Sequence, residues 1–208
     1  MSEYIEDFVS RIDVPLLDMV NIDFFDEPMF NVPRLHNFLA HIEKFKAHCR
    51  GAVTFWGYAI EFQLELGFLS FAILCDTVAQ QLSFMAQLCG SSLPLPSALK
   101  RLDIHEGLPV LGRQDTLGDP QWLDFLHSFT GLRDLHLGKR IAIHYAYALQ
   151  ELVGERVTEV LPALQNLFIE GLESLEPSGP TQEALGKFVT ARQLSGLPVV
   201  VHNWDGQS

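Results

Sequence analysis

Cysteine is scarce in this chain, basic residues are few, and no apolar run is long enough to cross a bilayer. The three cysteines, Cys49, Cys75 and Cys89, lie in apolar segments and form no C-x-x-C pair, which excludes a disulfide framework and a zinc knuckle and points to a reducing compartment. Lys and Arg number 14 against 26 Asp and Glu, a net charge of −12, so a broad nucleic-acid-binding coat is excluded, although a local basic site is not. The best membrane candidate, Leu66 to Leu88, is interrupted by Asp76, Gln80, Gln81 and Gln87. Glu3, Glu6 and Asp7 stand where a secretory signal carries positive charge, so the expected location is cytoplasmic, away from membranes. Charged residues make up 19%, below the roughly 25% of soluble domains, and the 48% hydrophobic content is ordinary, which argues against disorder. At 208 residues the chain is long enough to close one substantial core.

Several motifs are also missing. There is no G-x-S-x-G elbow, P-loop, G-x-G-x-x-G turn or H-E-x-x-H helix, which removes the commonest hydrolase, nucleotide triphosphatase, dehydrogenase and metalloprotease readings.

What is present is an uneven distribution of charge. Residues 1–33 carry eight acids against Arg11, a charge of −7; residues 34–50 carry +3, with His36, His41 and His48 among them. Residues 51–132 return to −5, residues 133–140 carry +2, and the remainder carries −5. Two cationic, His-rich islands thus sit in an acidic chain. Each is either one solvated helix face or an anion-binding site with the acidic segments limiting what approaches.

The apolar spacing predicts helices almost throughout. Residues 1–33 read as an irregular acidic arm, broken by Pro15, Pro28 and Pro33. Leu35, Phe38, Leu39, Ile42, Phe45 and Cys49 recur at helical steps. A long, surrounded helix is expected over Tyr58 to Cys89, then a Pro-divided connection, with a helical turn around Ser97 to Leu102. Further helices are expected from Asp119-Pro120 onward, over 141–153, over 155–176 and over 182–194. Residues 197–208 read as a short β-like tail. With one candidate strand, the expected fold is all-α: an up-and-down helical bundle over 34–196, with the acidic arm before it and the tail after it.

Two constellations carry chemistry. Glu61 and Glu65, Asp124 and His127, and His41 and His48 each share a helix face if helical, but Glu-x-x-His, which di-iron bundles require, does not occur. A metal-dependent oxidative bundle enzyme is therefore the lesser alternative, and no metal or other cofactor is implied. The second constellation, FTGLRDLHLGKRIAIHYAY from Phe129 to Tyr147, crowds Arg133, His136, Lys139, Arg140 and His144 into one span. An Arg that holds phosphate and a His that moves a proton are what RNA cleavage by its own 2′-hydroxyl needs. The other reading has these residues bridging helices or filling polar gaps.

The run from about Glu61 to Leu175 resembles the bacterial branch of the HEPN (higher eukaryotes and prokaryotes nucleotide-binding) superfamily. The likeness is carried by EFQLELGFLSFAILCDTVAQQLSFMAQLCG with its Asp76-Thr-Val-Ala-Gln80 step, by WLDFLHSFTGLRD, and by VTEVLPALQNLFIEGLESL, with a family-like core over about 58–176. The family's motif is Arg, four to six residues, then His. Here Arg133-Asp134 matches its opening, but Gly138, Lys139 and Arg140 stand where His belongs; His136 comes too early and His144 too late. The resemblance implies a homodimeric protein that binds RNA or nucleotide phosphate, acting if catalytic as a metal-independent endoribonuclease of a toxin or defence system, with an antitoxin-like partner. Arg133 would clamp phosphate, His144 or His136 would act as base, and Asp134, Lys139 and Arg140 would line the ligand site. The alternative from another class is a non-catalytic helical interaction module.

Overall fold

The computed structural model describes residues 19–24, 49–64, 69–75, 77–91, 95–107, 121–152, 156–174 and 179–206. Most of the acidic arm, nearly all of the first cationic island and the Pro-rich connection around 108–120 lie outside these residues. The elements are Val20–Phe24 (β1), Arg50–Trp56 (β2), Ala59–Leu64 (β3), Leu69–Leu74 (β4), Val78–Ser91 (α1), Leu95–Ala98 (α2), Arg101–Glu106 (β5), Gln121–His127 (α3), Asp134–Leu137 (β6), Lys139–Gln150 (α4), Arg156–Glu159 (α5), Asn166–Glu170 (β7), Pro180–Leu194 (α6) and Val200–Trp204 (β8).

The strands form one eight-stranded sheet in the order β1-β4-β3-β2-β5-β6-β7-β8. β3 runs antiparallel to β2 and β4, and every other pairing is parallel. The fold is α/β, which overturns the expected all-α helical bundle. The long helix over Tyr58 to Cys89 is instead β3, β4 and α1, and the helix over 155–176 is α5 followed by β7. The cause lies in the pattern itself. A four-residue apolar step returns to the same face of a helix and also of a strand, whose side chains alternate. Ile60 and Leu64 satisfy both periods, whereas Phe62 between them, and Phe71 and Ile73 in β4, are buried as only a strand allows.

The second half is built on a repeat. Leu99-x-x-Leu102-x-Ile104, Leu132-x-x-Leu135-x-Leu137 and Leu164-x-x-Leu167-x-Ile169 follow one another at steps of 33 and 32 residues, and all nine side chains are buried. In each copy the last two apolar residues point from a parallel strand into the core, and a helical segment then returns the chain to the start of the next strand. Because β5, β6, β7 and β8 are laid down in sequence order, and parallel crossovers are right-handed, every connecting helix falls on the same side of the sheet. The helix layer accordingly runs α1 beside α3, then α4, then α6. Trp122 of α3 packs between Phe55 of β2 and Tyr145 of α4, with ring centroids 5.2 and 4.4 Å away. Burying each such side chain contributes about 1.5–3 kcal/mol. Stacking strand–helix units that share this apolar pattern in one direction makes this half a solenoid-like array, in which each unit leans on its neighbours.

Among the described residues no helix covers the other side of the sheet. No helix among them is long and apolar enough to cross a membrane.

Candidate functional site

Register determines which side chains meet on the helix-free face. One row crosses all eight strands: Asn21, Ser70, Gln63, Ala52, Asp103, His136, Phe168 and His202. Below it lie Arg50, Arg101, Asp134, Asn166 and Val200; above it lie Asp23, Ala72, Glu61, Thr54 and His105, with Glu170 and Trp204 at the same level on β7 and β8.

At its centre is an ion cluster. Asp103, 1% exposed, accepts one hydrogen bond from Arg50 Nε at 2.8 Å and another from Arg101 Nε at 2.9 Å, one on each carboxylate oxygen. A buried carboxylate needs such partners, and the pairing also fixes two guanidinium groups that stay partly in solvent. His136 Nδ1 lies 3.7 Å from Asp103 Oδ1, too long for a hydrogen bond. Burial, reinforced by the nearby Arg101 charge, pushes the His136 imidazole down to about 4, so it is neutral at physiological pH.

Beside the cluster runs a row of rings. His136 stacks on Phe168 at 4.1 Å between centroids and 10° between planes, and Phe168 stacks on His202 at 4.7 Å and 19°. Trp204 closes over the row edge-on to His136 at 5.0 Å, and tilts against His105 at 5.3 Å. His105 too is lowered, chiefly by burial. Asn166 donates to Asp134 Oδ1 at 2.7 Å, and its own Oδ1 lies 3.2 Å from His202 Nε2, tying the lower row to the rings. Both faces of Phe168 are thus occupied by neighbouring rings, and the row turns ring edges outward.

The residues singled out in the sequence are dispersed. Arg133 is exposed in the loop entering β6, and Asp134 and His136 lie on the helix-free face. Lys139 and Arg140 begin α4 at the other end of β6, where the Lys139 N–H donates to Glu170 Oε2 at 3.2 Å and Arg140 Nε lies 3.7 Å from Glu106 Oε2. His144 is in the helix layer, its ring 6.4 Å from that of Trp122. The span is a strand followed by a helix, so its cations and imidazoles do not lie on one element, and the sheet separates His136 from His144. Among the described residues no three His, Cys, Asp or Glu side chains are placed to hold a metal ion, and Glu65, His41 and His48 lie outside them.

Sequence reading counted Arg50 only as part of the cationic island at residues 34–50, and missed Arg101, Asp103, Phe168, His202 and Trp204 as site residues. The signal was available: once the Leu-x-x-Leu-x-Leu/Ile repeat is aligned, the residue between its last two apolar positions is Asp103, His136 and Phe168 in successive copies.

Two concavities lie elsewhere. A groove of about 670 Å³ between α1 and α3 is lined by polar and apolar surface in similar measure, with Ser83, Gln87, Asp124 and His127 among its residues. It also touches Cys89, a buried thiol whose pKa burial pushes well up, so it is unreactive. A smaller crevice of about 240 Å³ at the carboxyl ends of β5 to β7 is bordered by His105, Lys139, Arg140 and Glu170.

Comparison of the chain with family models, with curated proteins and with solved structures finds no match.

Proposed function

We propose that this protein is a non-catalytic recognition module that binds a partner protein on the helix-free face of its sheet. The observation that carries the reading is the one-sided stack: repeated strand–helix units place the helix layer on one side and leave a broad face set with Arg50, Arg101, Asp134, Phe168 and His202. Solenoid arrays present extended surfaces of this kind, and such surfaces serve binding. No disulfide joins Cys49, Cys75 and Cys89, which suits a reducing compartment such as the cytoplasm.

The test compares proteins captured from the native cell extract by the wild type, by a face variant (Asp134→Arg with Phe168→Ala) and by a helix-layer variant (Lys187→Glu). The reading requires a partner lost with the face variant and kept with the helix-layer variant. A captured set indifferent to the face variant overturns it.

A second reading, binding of RNA or a nucleotide through its phosphate, keeps one favourable observation: Asp103 holds the partly exposed Arg50 and Arg101 guanidiniums side by side on the helix-free face. A ribonuclease built on Arg133 and His144 has no such support, because Arg133 lies in the loop entering β6 and His144 in the helix layer. Titration with a short single-stranded RNA decides: this reading requires saturable binding that weakens in Arg101→Ala.

A further inference from the structure

Each parallel strand from β5 onward supplies the edge on which the next is laid, and among the described strands β8 is the last. Its inner edge is used: the Val200 N–H donates to Gln165 O at 2.9 Å, and Trp204 O accepts from the Gly171 N–H at 3.3 Å. Since backbone groups alternate along a strand, Val200, His202 and Trp204 bond to β7, and the N–H and C=O groups of Val201 and Asn203 point outward. Natural sheets guard such edges with Lys, Pro or a bulge. β8 reads Val-Val-His-Asn-Trp, with none of these, and Val200 is 53% exposed.

The ring row ends at the same edge. His136 and Phe168 each receive a ring from the following strand, whereas His202, stacked on Phe168 and anchored by Asn166, carries no ring on its outer face among the described residues. The edge therefore specifies what continues it: a strand parallel to β8, apolar where it faces the core beside Val201, and planar where it meets His202.

We propose that the outer edge of β8 is a docking site for an extended segment of a partner protein, taken up as a parallel strand with an aromatic side chain stacked on the free face of His202. Main-chain bonds to Val201 and Asn203 supply affinity, and the ring supplies register, as in other cases of strand addition. The site adjoins the broad face assigned to partner binding above and shares His202 with it, but it does not depend on that reading.

β7 already solves this fitting problem on the inner side, so a synthetic peptide of residues 164–171, Leu-Gln-Asn-Leu-Phe-Ile-Glu-Gly, is the probe. In the full chain, saturating peptide is expected to slow amide exchange at Val201 and Asn203 about ten-fold or more, with Val200, His202 and Trp204 little changed. A spin label on the peptide N-terminus should broaden signals near Val200 rather than Trp204. Replacing the peptide's Phe by Ala, or His202→Ala in the protein, should weaken binding about three- to ten-fold, the worth of one aromatic pair. N-methylation of that peptide Phe, whose N–H would donate to Val201 O, should abolish binding. Outward amides that stay unprotected at millimolar peptide, antiparallel docking, or indifference to the Phe and N-methyl changes would overturn the proposal. Concentration-dependent self-association that protects Val201 and Asn203 without peptide would also overturn it, in favour of a second copy of the chain. The peptide variants leave the protein unaltered, so misfolding cannot imitate their effect.

Discussion

His136 and Phe168 lie face to face on adjacent parallel strands, 4.1 Å apart, with the imidazole 5% exposed and the buried Asp103 carboxylate 3.7 Å from its Nδ1. The pair joins the two parts of the helix-free face, the ion cluster and the ring row. It also makes the protonation state of His136 a matter of stability.

Burial, with Arg101 adding to it, lowers the His136 pKa from 6.5 to about 4. In the unfolded chain the imidazole takes up its proton near pH 6.5, and in the folded protein only near pH 4. Between these values the unfolded state binds more protons, so stability rises with pH. The stabilisation is complete above about pH 6.5, declines as pH falls toward 4, and does not fall further below that. Urea unfolding of the wild type should show this slope, amounting to about 3 kcal/mol at most. His136→Phe, which keeps the stacked ring, should flatten it, while His105, lowered in the same direction, still contributes. An equally steep slope in His136→Phe would contradict this assignment.

Arg192 in α6 is fully buried and is bound entirely by backbone. Its Nε donates to Leu197 O at 3.2 Å, and its terminal nitrogens donate to Val157 O and Leu164 O at 3.0 Å each. The last two flank a turn in which Leu161 adopts the left-handed region, φ 51°, a conformation costing a non-glycine residue about 1–2 kcal/mol. One guanidinium therefore ties α6 to the segment that feeds β7. Arg192→Met should leave three carbonyls without their donor and destabilise the chain by about 3 kcal/mol or more. Arg192→Lys should recover only part of this, because an ammonium cannot reach three divergent acceptors. Thermal unfolding of the two variants, ordered wild type above Lys above Met, checks the claim.

Elements whose period is unambiguous were legible in the sequence. The helices at Gln121–His127, Lys139–Gln150 and Pro180–Leu194 fall where Trp122, Phe125, Tyr145 and Leu185 repeat at helical steps, and the strand at Val200–Trp204 falls where three valines run together. β3 and β4 were hidden because their apolar steps of four fit either period. β5, β6 and β7 were hidden because each is short and its Leu-x-Leu or Leu-x-Ile core also fits a helix when read alone; only the comparison of Leu99, Leu132 and Leu164 as one repeat exposes them. The site was less legible still. His136 was visible as a residue, but its neighbours Asp103, Phe168 and His202 come from other strands, and a parallel register set by intervening helices is not written locally.

Two glycines in the same half should respond oppositely to alanine. At Gly131, in the loop before β6, an added Cβ would overlap the Ser97 carbonyl oxygen, which is backbone and cannot swing aside. Gly131→Ala should therefore cost about 1–3 kcal/mol. At Gly186, exposed inside α6, an added Cβ meets nothing within 4 Å. Gly186→Ala should stabilise by about 0.5–1 kcal/mol, because it removes backbone freedom that the unfolded chain would otherwise regain. Urea midpoints moving in opposite directions confirm both placements; a neutral Gly131→Ala would mean that β6 enters the sheet by a different path.

Asp103 is the residue on which the helix-free face turns, and its loss has a cost that can be ordered in advance. The carboxylate is almost wholly buried, whereas the Arg50 and Arg101 side chains are 37% and 28% exposed. Removing the anion strands two cations that can still reach water; removing one cation leaves the buried anion with a single partner. Asp103→Asn keeps the shape and one acceptor oxygen but loses the charge, so it should destabilise by about 1–3 kcal/mol. Arg101→Ala should cost less, since Arg50 remains bonded to the carboxylate at 2.8 Å. The double variant Asp103→Asn with Arg101→Ala should then cost less than the sum of the two, because each single change already breaks the same bond. Urea unfolding of the four proteins measures that coupling directly, and strict additivity would show that the carboxylate and Arg101 do not act together.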